Sequence, residues 1–164
     1  MRRLKPSRVR LLAAVLLLGA GAAFLTWREA YPSAGRPVVL LGTPAPPLPT
    51  SDPASVARGA AAYAELCAAC HGANLEGAPD WKVPLADGSY PPPPHDSTGH
   101  TWHHPDSLLI EIILRGGDRA LGSKMPAFGD RLSRAQAGDL LNFIRSSWGI
   151  EERQYQWWLT YHNP

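Results

Sequence analysis

The sequence predicts an all-α domain with long loops, preceded by an apolar segment and a proline-rich stretch. Three observations lead there. No segment alternates apolar and polar residues with period two for long enough to make a strand. Three segments, near 53–69, 105–115 and 132–148, carry helical patterns bounded by start and stop residues. Between the first two lies 72–101, broken by Gly72, Gly77, Pro79, Pro84, Gly88 and the prolines at 91–94.

The chain begins with a basic N-terminus. Residues 1–10 contain Arg2, Arg3, Lys5, Arg8 and Arg10, a charge of +5. Residues 11–27 then run for 17 positions without a charge. That is at the short end of the roughly 17–25 residues that span a bilayer as a helix. The expectation is a transmembrane anchor with 1–10 on the cytoplasmic side and everything after it outside. The rival is a cleaved signal segment with AGA at 20–22 as its small-residue site. Both readings place the rest of the chain beyond the cytoplasm, on the periplasmic side of a cell inner membrane. Residues 28–52 are expected to be a Pro-rich, semi-extended linker. From Arg28 onward there are 11 Lys/Arg and 14 Asp/Glu, a balance of −3. No basic stripe for nucleic acid exists there.

The folded domain is expected over 53–148. Asp52 suits an N-cap, with Pro53 at the first helical position. Gly59 weakens that helix by roughly 1 kcal/mol against alanine, so its presence predicts close approach by another element. Pro105 and Asp106 open the second helix, and Gly116 and Gly117 close it. Its Leu and Ile residues leave only Glu111 polar, which predicts burial nearly all round. The third helix has Ser133 and Gln136 as a capping box, and Leu140, Leu141, Phe143, Ile144 and Trp148 on its apolar side. Residues 149–164 form an aromatic tail with Tyr155, Trp157, Trp158 and Tyr161. It either folds back on the domain or offers a contact surface. Three short helices make a marginal core without a staple. A large apolar cofactor would supply one.

Residues 67–71 read CAACH, and Cys67 and Cys70 are the only cysteines of the chain. CxxCH is the attachment signature of c-type haem. Two thiols three residues apart bind one porphyrin edge, and the next residue, His71, offers an imidazole to the iron. A thioredoxin-like CxxC would follow a strand, whereas the segment before Cys67 is helical. A zinc site would need two of the other histidines. One motif predicts one haem and one iron. Beyond the initiator, Met125 is the only methionine, in KMPAF at 124–128. It is a candidate for the second axial position, held by Pro126. A second histidine or an open position competes with it.

Gly59 and Tyr63 with CAACHG at 67–72, MPAF at 125–128 and the helix at 132–148 together resemble the monohaem class I cytochrome c family of the bacterial membrane-anchored type. The resemblance spans about 53–148. It implies the class I cytochrome c fold, with N- and C-terminal helices crossing and long loops around one covalent haem. It further implies that Gly59 and Tyr63 pack against Phe143, that His71 is the proximal iron ligand, and that Met125 is the distal one. The stretch from the haem motif to the methionine is longer than in compact members.

That stretch includes His95, His100, His103 and His104. Trp102 and His100 are expected to contact the haem propionates, because imidazoles suit a charged cofactor edge. The alternative is an accessory copper module built from His95 to His104. The expected function is electron transfer between extracytoplasmic redox proteins, such as a donor and a terminal oxidase or reductase. Closed coordination leaves no place for a small-molecule substrate, so the chain is expected to be an electron carrier, alone or as a subunit of an oxidoreductase complex, and not itself an enzyme. A haem sensor or catalytic haem protein with a displaceable sixth ligand is the other class. With only Lys5, Lys82 and Lys124 in the chain, docking through a ring of lysines is not expected.

Overall fold

The structure is a computed structural model that describes Gly19 and residues 35–164. The expectations for 1–10 and for the span 11–27 lie outside the described residues. Among the described residues, no helix is long and apolar enough to cross a membrane. Residues 37–164 form one compact unit.

Two short strands, β1 (Pro37–Leu40) and β2 (Thr43–Pro47), pair antiparallel. The sequence reading of a simple tether does not hold over these residues. Their prolines defeat any strand pattern, and a bulge between Pro37 and Val38 accommodates one of them. Val38 and Ala45 are buried, so the hairpin has an inner face of its own.

Helix α1 (Pro53–Leu66) starts as expected, with the Asp52 carboxylate accepting from Ala54 and Ser55 backbone N–H groups. A single turn, α2 (Ala68–His71), follows at once. After the long loop and a 3₁₀ turn at Thr101–His103 comes α3 (Asp106–Arg115). Only Leu109 and Ile113 of α3 are buried, while Leu108 is 44% exposed. The all-round burial expected from composition is therefore corrected to one stripe of residues four apart, the face turned to the core. Helix α4 (Arg134–Ser146) carries the capping box in full: Ser133 Oγ accepts from Gln136 N–H, and Gln136 Oε1 accepts from Ser133 N–H. The tail is helix α5 (Ile150–His162), which packs on the hairpin and on the 3₁₀ turn.

The core is Tyr63, Leu75, Leu109, Ile113, Leu132, Ala137, Leu140, Leu141, Ile144 and Trp148. Its centre is the crossing of α1 with α4, the most extensive helix contact among the described residues. A Cβ on Gly59 would lie 2.0 Å from the Asp139 carbonyl oxygen and 2.9 Å from Phe143 Cβ. The glycine is what lets the two backbones meet.

Candidate haem site

The CAACH segment is a helical turn. Cys70 N–H and His71 N–H both donate to the Cys67 carbonyl, at 3.1 and 2.9 Å. Cys67, Cys70 and His71 stand at i, i+3 and i+4, so one face of the turn presents both thiols and the imidazole. Neither cysteine is in a disulfide; Cys70 is exposed and Cys67 half-buried. Burial, and then the nearby Cys70, push the Cys67 thiol up to about 11, away from the thiolate that a redox pair would use.

His71 is buried, and its Nδ1 lies 2.8 Å from the Pro93 carbonyl oxygen. A carbonyl only accepts, so Nδ1 carries the proton and Nε2 keeps its lone pair. This is how proteins orient a metal-binding imidazole. Burial lowers the His71 pKa, and the bond to Pro93 opposes that. The Pro93 carbonyl is fixed by its surroundings. Ala78 N–H donates to the Pro92 carbonyl, and His95 N–H to the Leu75 carbonyl. Gly77 and Gly99 both pass so close to Pro94 that a Cβ on either would fall within 2.3 Å of its backbone.

Met125 is half-buried and packs against the core. Its loop is fastened to the end of α3. Gly117 N–H donates to the Met125 carbonyl, while Phe128 and Gly129 N–H groups take the free carbonyls of Ile113 and Leu114. Ser123 Oγ accepts from Met125 N–H.

The histidine-rich loop does not converge on one point. His95 Nδ1 is 2.8 Å from Thr101 Oγ1, its ring stacks on His71, and burial holds its pKa down to about 3. His100 stacks on Trp81 and meets His104 edge-on. His103 lies against Trp102 and Tyr155. Among the described residues, no group of three or more His, Cys, Asp or Glu is arranged to hold a metal ion. The copper alternative for His95–His104 thus finds no support: the 3₁₀ turn sends successive imidazoles in different directions. Trp102 N–H is donated to the Ser97 carbonyl at 3.3 Å, which commits the one donor that a propionate would need. His100 Nδ1 is buried with no hydrogen-bond partner.

A family model described as cytochrome c matches residues 56–148. The chain belongs to the cytochrome c family. Its fold is that of a class I cytochrome c, and its cofactor is covalent haem c with its iron. A similar protein is the gluconate 2-dehydrogenase cytochrome c subunit of Pantoea cypripedii, 35% identical over 100 residues. That match covers 56% of this chain and 20% of the subunit, so the chain spans about a fifth of that relative. No solved structure matches.

The residues present fit a haem c. Two cysteines outside any disulfide share one face of a turn with an imidazole whose Nε2 is left unprotonated, a methionine loop is pinned to the same core, and a buried nitrogen, His100 Nδ1, lacks a partner. Two contacts of the site have no signature in the sequence. Pro93 acts through a backbone carbonyl, which has no residue signature beyond the proline run itself. His95 was read with its histidine neighbours, because sequence gives no ring direction.

Proposed function

We propose that this cytochrome c is a single-electron carrier with His71 and Met125 as axial ligands and Cys67 and Cys70 as the thioether positions. The observation that carries the reading is the His71 ring: it is buried, sits in one turn with both cysteines, and is held at Nδ1 by the Pro93 carbonyl. Bound haem c supplies one-electron chemistry, its iron alternating between ferric and ferrous. His71 offers Nε2. Met125 offers a sulfur that favours the ferrous state relative to a second imidazole. Ligands from two anchored segments leave no coordination position for a substrate, which makes the chain a carrier and not an enzyme. His100 Nδ1 is the group offered to a propionate.

Residues 11–27 anchor the carrier, with residues 53–148 in the extracytoplasmic space. The dehydrogenase subunit among its relatives makes a dehydrogenase a fitting donor, and a terminal oxidase or reductase a fitting acceptor. Docking does not rest on lysines, since Lys124 is paired with Asp87 and Lys82 lies over Trp81.

The test is Met125→Ala in the haem-loaded protein. The wild type should be low-spin, with the weak far-red ferric band of an iron–methionine sulfur bond. The variant should lose that band, and its reduction potential should fall. A high-spin wild-type spectrum, or a band that survives the substitution, would overturn the ligation.

A further inference from the structure

His95 lies outside the proposed ligand set, yet it touches His71, on which the proposed function turns. Its ring is stacked on His71, centroids 4.0 Å apart and planes 26° apart. Tyr63 approaches His95 edge-on at 6.3 Å.

The residue is held from several sides. His95 N–H donates to the Leu75 carbonyl at 2.8 Å. Its carbonyl accepts from Trp148 Nε1 at 2.7 Å. Its Nδ1 faces Thr101 Oγ1, and Thr101 is buried. Pro93, which holds His71 Nδ1, lies two residues before it, and the intervening Pro94 is buried against Gly77 and Gly99. One rigid segment therefore delivers both an edge contact and a face contact to the same imidazole.

The two contacts do different things. A hydrogen bond at Nδ1 holds one edge of the His71 ring and selects its tautomer. A stacked face limits rotation about the Cβ–Cγ bond, which sets the plane of the ring. The face also has an electrostatic effect. A ligand imidazole carries more positive charge on ferric than on ferrous iron. The π face of a neutral aromatic neighbour favours that charge.

We propose that His95 is a positioning residue for the proximal ligand, its stacked ring fixing the plane of the His71 imidazole and favouring the ferric state. The proposal rests on the reading of His71 as an iron ligand.

The experiment uses the full-length, haem-loaded protein and three variants. His95→Leu removes the ring, His95→Phe keeps a π face, and Thr101→Val removes only the Nδ1 partner. Two readouts report on the ligand itself: the spread of haem-methyl shifts in the ferric proton NMR spectrum, which follows the axial ligand planes, and the midpoint potential. His95→Leu should change the methyl pattern and move the ferric–ferrous equilibrium toward ferrous by about three- to tenfold, where tenfold is about 59 mV for one electron. His95→Phe should stay within about twofold of wild type, and Thr101→Val should show a smaller change of the same sign in both readouts. Unmoved readouts in His95→Leu would overturn the proposal, as would equal shifts in the Leu and Phe variants. If His95→Leu fails to mature, the Phe and Thr101→Val results decide: a large shift in Phe, or none in Thr101→Val, overturns it. His71→Ala tests the underlying reading separately. A low-spin spectrum retained in that variant would remove His71 as ligand, and the proposal with it, whereas an intact wild-type-like spectrum with unmoved readouts in His95→Leu removes the proposal alone.

Discussion

Tyr63 is the most buried aromatic of the core, and its hydroxyl donates to the Gly72 carbonyl at 3.0 Å. That bond caps the exit from the CAACH turn. Burial raises the Tyr63 pKa well above 10, with the Glu76 and Asp96 carboxylates adding to the effect. The sign follows from linkage. The folded state favours the neutral phenol, so this stabilisation is complete below the unfolded pKa of about 10 and is lost as pH rises through the higher folded value. Tyr63→Phe should therefore cost about 1 kcal/mol at neutral pH through the lost hydrogen bond, and its stability should fall less steeply than that of wild type above about pH 10. Denaturant midpoints at several pH values between neutrality and pH 11 check this; parallel curves for the two proteins would refute it. At this scale the sequence is readable where a residue type carries the chemistry: Cys67, Cys70 and His71 make a signature that is distinctive in itself. It is silent where a backbone atom or a ring direction carries it. The Pro93 carbonyl and the His95 stack are of that kind, and the Trp102 N–H points to its own loop for the same reason.

The crossing of α1 and α4 is set by one missing side chain and one polar cluster. Around Gly59, Ser55 Oγ donates to Asp139 Oδ1 at 2.5 Å, Asn142 Nδ2 donates to Ser55 Oγ, and Arg58 grips the Asp139 carboxylate with two N–H groups. Gly59→Ala would add up to about 1 kcal/mol of helix propensity. The added Cβ would also meet the Asp139 carbonyl oxygen and carbon at 2.0 and 2.6 Å. These are backbone atoms of a packed helix and cannot swing aside, so the clash, about 3 kcal/mol at contacts this short, outweighs the gain. The expected result is a large drop in thermal midpoint and poor haem loading. A variant as stable as wild type would mean that the crossing is looser than drawn. The caps, the glycine and the α4 stripe were legible in sequence because each is a local rule. The hairpin was not, since proline obscures strand patterns. Nor was the half-exposed α3, since composition does not say how many neighbours a helix will have.

At the scale of the molecule, α5 turns a string of loops into a closed layer. Trp157 Nε1 donates to the Pro46 carbonyl and Trp158 Nε1 to the Thr43 carbonyl, each at 2.8 Å, which ties the tail to the hairpin. Gln156 ties it to the haem domain. Its side chain is 1% exposed, and its Nε2 reaches the His104 carbonyl at 3.2 Å, Asp106 Oδ1 at 2.5 Å and Thr160 Oγ1 at 3.0 Å. Asp106 also takes an ion pair from Arg145 of α4. A single amide thus joins α5, the start of α3 and the end of the 3₁₀ turn that bears Thr101. Gln156→Leu keeps comparable bulk but leaves the His104 carbonyl and one Asp106 contact without a donor. Unmet buried acceptors cost about 1–3 kcal/mol, which should lower the thermal midpoint by roughly 5–10 °C in a domain of this size. The effect should remain one of stability at neutral pH. His71 and Met125 are held by the Pro93 carbonyl and by the end of α3, and the hydrogen bonds of Gln156 go to neither. The ferric spectrum of the variant should therefore match wild type at a temperature where both are folded. A normal midpoint would show that α5 is only laid on the surface, and a changed ferric spectrum would show that the tail reaches the haem site directly.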